Sequence, residues 1–267
     1  MTHTLKALSL LSGIVVAAAL AGCSSDGQVG ENGIVRFSQV VHFADTEDFT
    51  APLAAGRTLM VALQHPQALG LDQETMADFT MEVREDGDRV DAAWPLGFAQ
   101  YAVNLEDEGQ YQLVGLRNGE AVDQLGLRVK KAKSVRWSKT FIVLTDYDDP
   151  KEQNRHCTRV TTRTEGPEGF LLHSNQTITV HVVPVDEDGA PLLGLLPLTA
   201  NAPDVFRVNA QLVGHGALAN SLTLSPVDAL RLGGSHQLTV REQDLAQDLV
   251  LTLNTTSDVF ELDCNNP

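Results

Sequence analysis

The sequence predicts an all-β protein made of two tandem β-sandwich domains, and three observations lead to this prediction. Short runs of alternating apolar and polar residues recur along the chain, broken by Gly, Pro, Asn and Asp, as half-buried strands and turns require. Long helical periodicity is missing, and only residues 71–79 suit a short helix. A length of 267 residues with 43% hydrophobic content allows two domains with cores of their own.

The first 22 residues predict an export signal that is removed from the mature protein. Lys6 supplies a positive start, residues 7–19 are apolar, and small residues follow. This stretch is shorter than the about 20 apolar residues that a membrane-spanning helix needs. Residues 20–23, Leu-Ala-Gly-Cys, resemble the lipobox of bacterial lipoproteins.

The lipobox resemblance implies cleavage before Cys23, a diacylglycerol on its sulfur and an acyl chain such as palmitate on its new amino group. Several acyl chains, at about 0.8 kcal/mol per buried CH₂, give permanent membrane anchoring. In lipoproteins that this chain resembles, an Asp after the cysteine favours the inner membrane, and Ser24 stands here instead. The resemblance therefore implies the outer membrane, with the periplasmic or the cell-surface face left open. Residues 23–33 are polar and Gly-rich, which predicts a lipidated flexible tether.

Residues 34–133 predict the first sandwich. Apolar residues alternate with polar ones in residues 79–84, so that one face of this strand is buried. The same alternation occurs in residues 34–43, 59–63, 101–105 and 125–129. These strands recur at about the spacing of an immunoglobulin-like sandwich.

Asp107, Gly109 and Tyr111 form an Asp-x-Gly-x-Tyr pattern before a predicted strand. The pattern resembles the tyrosine corner of immunoglobulin-like and related Greek-key domains. The resemblance implies that Gly109 permits a tight turn and that the Tyr111 hydroxyl satisfies a backbone group while its ring joins the core. The alternative is a chance turn before a strand. The disulfide of the immunoglobulin family is missing, because residues 34–133 contain no cysteine.

Residues 134–267 predict a second sandwich, whose topology the sequence leaves open. A new strand is predicted over residues 135–145, after the basic residues 130–133. Nine further short segments suit strands, and this number favours a sandwich over a barrel. His181 lies on the polar face of one of these strands and is expected to face solvent.

Two cysteines, Cys157 and Cys264, remain after Cys23 is assigned to the lipid. In an oxidising compartment an even number predicts a disulfide between them. Such a bridge closes a loop of about 100 residues, for which chain entropy gives about 4.7 kcal/mol. Two buried thiols or a metal site are the alternatives.

Asp146, Asp148 and Asp149 form the densest acidic cluster, in a loop predicted to follow the strand over residues 135–145. Carboxylates of this kind collect Ca²⁺, which takes six to eight oxygen ligands. The Gly and the distal Glu of an EF-hand loop are missing, and the alternative is a solvated turn. Calcium is the one cofactor that the sequence suggests besides the covalent lipid.

The charge and the motifs bear on function. A net charge of −16 argues against nucleic acid as a partner and against attraction to an anionic membrane. No nucleophile elbow, zinc-protease pair, phosphate loop or dinucleotide fingerprint is present in the sequence. The sequence therefore predicts a noncatalytic interaction, adhesion or structural module, held to the membrane by lipid and bound to an unidentified protein or envelope partner. The alternatives are a calcium- or small-ligand-binding module, or a carboxylate-dependent hydrolase, whose two acids leave no local motif.

Overall fold

A computed structural model describes residues 27–41, 43, 49–66, 78–138, 141–148, 156–163, 171–210, 219–227 and 231–260. The first ten strands are β1 (Gly27–Val29), β2 (Arg36–Gln39), β3 (Leu53–Ala54), β4 (Thr58–Gln64), β5 (Phe79–Glu85), β6 (Asp88–Val90), β7 (Ala93–Gly97), β8 (Gln100–Asn104), β9 (Gly109–Arg117) and β10 (Glu120–Lys130). The other ten are β11 (Ser134–Trp137), β12 (Phe141–Asp148), β13 (His156–Arg163), β14 (Leu171–Leu172), β15 (Gln176–Val185), β16 (Leu198–Asn201), β17 (Phe206–Ala210), β18 (Ser221–Pro226), β19 (Gly234–Glu242) and β20 (Gln247–Thr255). Every element in this part of the chain is a strand, which confirms the all-β prediction.

The first ten strands form two sheets with the strand order of an immunoglobulin-like domain. One sheet has the order β1-β2-β4-β8-β7 and the other β3-β10-β9-β5-β6. The sets β2-β4-β8-β7 and β10-β9-β5 correspond to the ABED and GFC sheets of that fold. Strand β3 pairs with β10 in parallel, while the other pairings in both sheets are antiparallel.

The core of the first sandwich lies between its two sheets. Its largest fully buried side chains from the described residues are Phe37, Leu53, Leu59, Leu63, Leu113 and Leu127. Alternation along each strand places these residues inward and their neighbours outward, as the sequence pattern predicts. The immunoglobulin-like prediction for this half rests on that alternation, and the strand order confirms it.

Part of the predicted tether belongs to the first sandwich, so the prediction of a flexible segment over residues 23–33 is wrong from residue 27 onward. Strand β1 pairs with β2, with Gly27 opposite Ser38. A Cβ on Gly27 would lie 2.2 Å from the Ser38 Oγ and 2.9 Å from the Phe37 carbonyl oxygen. Glycine stands here because the two strands approach closely. A Gly-rich composition therefore does not indicate a flexible segment in this stretch. Only residues 24–26 separate Cys23 from the first strand.

Asp123 on β10 fixes the turn between β1 and β2. One of its carboxylate oxygens accepts hydrogen bonds from the amides of Ile34 and Val35 at 2.7 and 2.8 Å, and the other accepts one from the Asn32 amide at 2.8 Å. Asp123 is buried, so these amides replace the water that its charge has lost. The carboxylate thereby ties the start of the described chain to the opposite sheet.

Gly30→Ala is expected to lower the free energy of unfolding by about 1–3 kcal/mol, the usual cost of overpacking. An added Cβ at Gly30 would lie 2.3 Å from Asp123 Oδ1, so the turn must shift and weaken its hydrogen bonds. Gly126→Ala is the matched control, because nothing lies within 4 Å of its Cβ position. Urea unfolding of both variants measures the difference. Equal stabilities would show that residues 30–35 are not held by Asp123.

The second ten strands form another pair of sheets with a corresponding order. One sheet runs β13-β12-β15-β18-β17, with β11 also paired to β15, and the other runs β14-β20-β19-β16. The parallel pairing of β14 with β20 matches that of β3 with β10 in the first sandwich. Strand β13 is an addition, paired to the outer edge of β12. The structure thus supplies the topology that the sequence left open.

Two local predictions in this half are corrected. The strand predicted over residues 135–145 is divided into β11 and β12, which pair with different parts of β15. Asp146 and Asp148 belong to β12, not to a loop, because the strand continues by pairing with β13, where Asp146 lies opposite Thr158. In the first half, Phe79 begins β5, and residues 71–77 of the predicted helix lie outside the described part of the chain.

His181 is fully buried, so the expectation that it faces solvent is wrong. The Ser138 amide, just after β11, donates to the His181 carbonyl oxygen at 2.8 Å, and Ser138 is buried as well. This bond extends the pairing of β11 with β15 one residue past Trp137.

Candidate functional site

The tyrosine-corner residues lie at the start of β9. The Tyr111 hydroxyl donates to the Asp107 carbonyl oxygen at 3.2 Å, and the ring is buried in the core of the first sandwich. Gly109 does not adopt a positive φ, so its place in the corner does not depend on the left-handed conformation that glycine permits. A Cβ at Gly109 would instead lie 3.2 Å from the Tyr111 ring. Glycine leaves room for the ring to fold back over the corner.

Tyr111→Phe is expected to lower the free energy of unfolding by about 0.5–1.5 kcal/mol, because the corner carbonyl loses its donor. Burial, followed by the carboxylates of Glu85 and Asp107, raises the pKa of Tyr111. The unfolded chain therefore releases this proton first, and stability falls as the pH rises past about 10. Thermal unfolding of both proteins at about pH 8 and about pH 10.5 measures the effect. A gap between the two melting temperatures that does not narrow at the higher pH contradicts the assignment.

The other predicted site residues are only partly within the described residues. Cys157 lies on β13, and Cys264 lies outside the described part, so their pairing stays a prediction. Asp146 and Asp148 are described in their backbone alone, and Asp149 lies outside. Among the described residues, no group of three His, Cys, Asp or Glu side chains is arranged to hold a metal ion. The calcium hypothesis for the three aspartates is left as a prediction.

A segment of the second sandwich pairs with strands of the first. The Ala54 amide donates to the Leu193 carbonyl oxygen and the Leu193 amide to the Pro52 carbonyl oxygen, both at 2.8 Å. The Leu195 amide donates to the Thr58 carbonyl oxygen at 2.9 Å. We call this region, where residues 191–196 meet β3 and the start of β4, the junction.

Apolar packing continues through the junction. Leu193 is fully buried and belongs to the core of the first sandwich, although its chain segment comes from the second. Leu192 packs with Ala54 and Ala132 of the first half, and Leu245 lies against them. The two sandwiches therefore share buried surface, where a cleft between domains would otherwise lie.

Ion pairs border this packing. The Arg57 guanidinium donates to Glu242 Oε1 at 2.8 Å and also contacts Asp244. The Glu242 side chain is 0% exposed, and its second oxygen accepts the Leu245 amide at 2.5 Å. Gly194 makes room for the arginine, since a Cβ there would lie 2.5 Å from Arg57 Cβ. Neither Arg57 nor Glu242 carries a local sequence signal that would have singled it out.

A second ion pair joins Lys130 of β10 to Asp186, with Nζ and Oδ2 2.6 Å apart. The hydrogen bond from Lys130 lowers the pKa of Asp186, and the amides of Ala190 and Asp188 add to the effect. Because the folded state holds this carboxylate ionised, its contribution to stability is present above about pH 4 and is lost as the pH falls further. Both carboxylate oxygens of Asp186 accept hydrogen bonds from these donors.

The end of the first sandwich away from the junction is apolar and exposed. Phe98, at the tip of the β7–β8 hairpin, is 74% exposed, and Leu96 is 46% exposed. Val29 and Ile34, in the β1–β2 hairpin, are 38% and 44% exposed. We call these four residues the apolar end. Trp94, 45% exposed, lies on β7 two residues before Leu96.

The pairing register places both hairpins at the same end of one sheet. A single row across the sheet contains Gly27, Ser38, Ala62, Gln100 and Gly97. Beyond this row lie the two hairpin turns, on opposite edges of the sheet. Strand β4 begins at Thr58, which borders the junction, and ends at Gln64, near the hairpin turns. These two residues are six positions apart, or about 20 Å along the strand. The junction and the apolar end therefore occupy opposite ends of the first sandwich.

The turn that carries Phe98 has an unfavourable backbone conformation. Phe98 and Ala99 have φ values of 51° and 54°, as in a type I′ hairpin turn. Asn or Gly is the usual residue there, and a bulky side chain costs on the order of 1–2 kcal/mol. The sequence did not reveal this surface, because apolar residues at 94, 96 and 98 look like the buried face of a strand.

Comparisons with known proteins find solved structures of low similarity, with TM-scores of 0.30 or below. No protein-family model matches the chain, and no curated protein matches it. A β-glycosidase from Bacteroides vulgatus is 12% identical with a TM-score of 0.30, and the match covers 86% of this chain but only 25% of that one. Domains 5–6 of the S-layer protein SbsC are 14% identical with a TM-score of 0.26, covering 82% of this chain and 100% of that one. Tandem immunoglobulin domains of titin are 9% identical with a TM-score of 0.27, and the match covers 77% of this chain and 90% of that one.

Within the described residues, no helix is long and apolar enough to cross a membrane.

Proposed function

We propose that this chain is an outer-membrane lipoprotein, anchored by lipid on Cys23, that acts as a noncatalytic structural or interaction module. The observation that carries the second part is the junction. Ligand sites often lie between domains, and here that space is filled by Leu192 and Leu193 and bordered by the Arg57–Glu242 pair.

The same packing holds the two sandwiches at a fixed angle. Domains in one chain move relative to each other unless their interface is large and hydrophobic. Leu193 is buried in the core of the other sandwich, so movement at the junction would expose it. A rigid pair of sandwiches on a short anchor presents a surface at a set distance from the membrane. This suits an adhesion module or a noncatalytic subunit of an envelope assembly.

The anchor and the disulfide rest on the sequence. Residues 20–23 with Ser24 support outer-membrane lipidation, and the even number of remaining cysteines supports a Cys157–Cys264 bridge. Mass spectrometry after alkylation without reductant tests the bridge. Two labelled thiols in the unreduced protein would contradict it.

Labelling with radioactive palmitate tests the anchor. The wild-type chain should take up label and fractionate with outer membranes, whereas Cys23→Ala should do neither. Ser24→Ala is the control, because it keeps the cysteine and its lipobox. Label on Cys23→Ala, or none on the wild type, rejects the anchor.

Cross-linking in intact cells, combined with external protease, tests the module. A reproducible protein or envelope adduct is expected, and protease sensitivity reports which face of the membrane carries the chain. If hydrolysis of a substrate is found and is lost on replacing a pair of described carboxylates, the noncatalytic proposal is wrong.

A further inference from the structure

We propose that the apolar end contacts the lipid bilayer directly, so that the first sandwich stands end-on at the membrane with the second sandwich pointing away. The inference rests on the lipid anchor proposed above and adds a second contact with the same membrane. The bilayer, rather than a protein, is the occupant of this surface.

The short tether limits where the bilayer can lie. Cys23 is four residues before Gly27, so the lipid attachment lies within about 14 Å of the start of β1. Val29 is two residues beyond Gly27 toward the apolar end, or about 7 Å. The anchor therefore reaches the apolar end. At the opposite end, the junction is covered by the second sandwich.

The exposed side chains select the end-on arrangement. The five exposed large apolar residues in the described part of the first sandwich are Val29, Ile34, Trp94, Leu96 and Phe98. Four of them form the apolar end. Phe and Leu side chains insert at the boundary between headgroups and acyl chains, and a flat bilayer can touch exposed apolar side chains at both edges of one sheet end together. A side-on contact through β1 would leave Phe98 four strands away, about 19 Å across the sheet.

The Phe98 turn gives independent support. A bulky aromatic residue at a positive φ is a feature that sequences avoid unless the residue serves a purpose. Here the disfavoured turn displays the most exposed of the large apolar side chains in the described residues.

Nearby acidic groups limit how deeply the apolar end enters the bilayer. Glu31 lies in the β1–β2 turn and Glu120 begins β10 after the β9–β10 turn, and both are exposed. Their charges favour water, so only the hairpin tips reach the acyl boundary. Anionic lipid is expected to weaken the contact, because the net charge of the protein is −16.

The test places a single tryptophan at the hairpin tip. The reporter is Phe98→Trp with Trp94→Phe and Trp137→Phe, and the matched control is Val250→Trp in the same background, at a site 54% exposed on β20 of the second sandwich. Residues 24–267, with an amino-terminal hexahistidine tag, are bound to phosphatidylcholine vesicles containing a nickel-chelating lipid. This attachment keeps the experiment independent of natural lipidation. The palmitate labelling therefore tests whether Cys23 carries lipid, and the vesicle experiment tests separately whether the apolar end contacts the bilayer.

Lipids brominated in the acyl chain should quench the tryptophan at position 98 by about twofold or more, with a blue shift of its emission. The tryptophan at position 250 should change by less than about a tenth. Adding phosphatidylglycerol should reduce the quenching at position 98. Equal, negligible quenching at both positions overturns the proposal, and so does a blue shift without vesicles that disappears on dilution, since it indicates contact between copies.

Phe98→Asn separates membrane contact from folding. Asn suits the positive φ, so the melting temperature should rise, while quenching of the native Trp94 in a Trp137→Phe background should fall at least twofold. Unchanged Trp94 quenching in this variant would exclude Phe98 from the contact and overturn the proposal.

Discussion

Arg57→Met is expected to lower the free energy of unfolding by about 3–5 kcal/mol, the usual cost of removing one partner from a buried ion pair. Glu242 would remain 0% exposed with one neutral donor, the Leu245 amide, and without its cation. The methylene groups of Met replace much of the arginine stem, so the loss comes chiefly from the uncompensated charge.

Urea unfolding measures this loss, and the protein contains a suitable control. Arg241→Met removes an ion pair with Asp248, 3.3 Å apart, in which both side chains are about half exposed. Such a surface pair contributes about 0–1 kcal/mol. The double variant Arg57→Met with Glu242→Met should recover much of the stability, because no buried charge is left. An Arg57→Met protein within 1 kcal/mol of the wild type would mean that water reaches Glu242.

The sequence predicted those parts of the fold that depend on local pattern. Alternation in residues 79–84 is reproduced in β5, with Met81 and Val83 buried. The segment that contains β1 was missed for a physical reason. Glycine is needed at position 27 because Ser38 lies close to it, and at position 30 because Asp123 does. Asp123 is more than ninety residues from Gly30 in the sequence, so no local pattern shows this contact. By composition alone the two glycines resemble those of a flexible linker.

The candidate sites depend on contacts that no local pattern encodes. The sequence of residues 192–196 suits a short strand of the second sandwich, yet the Leu193 and Leu195 amides bond to the first sandwich. Arg57 and Glu242 are 185 residues apart and meet only when both sandwiches have folded. Leu96, on the edge strand β7, and Phe98, in the turn after it, are exposed, and no local pattern marks either residue as a surface residue. In each example the position or exposure of the residue depends on which distant segment packs against it, and not on its propensity to form a strand.

Leu193→Ala is expected to destabilise the protein by about 2–5 kcal/mol and to separate the unfolding of the two sandwiches. Leu193 is fully buried in the core of the first sandwich while its backbone belongs to the second. Removing its side chain leaves a cavity where the second half of the chain enters the core of the first sandwich. We therefore expect one calorimetric transition for the wild type and two for the variant.

Leu113→Ala is the matched control for this effect. Leu113 on β9 is equally buried in the same core but makes no part of the junction. It should cost a similar free energy and keep a single transition. Hydrogen exchange gives a second measurement, because the Ala54 and Leu195 amides, bonded across the junction, should lose protection in Leu193→Ala and retain it in Leu113→Ala. A single transition in both variants would show that the backbone pairing and the ion pairs couple the sandwiches without Leu193.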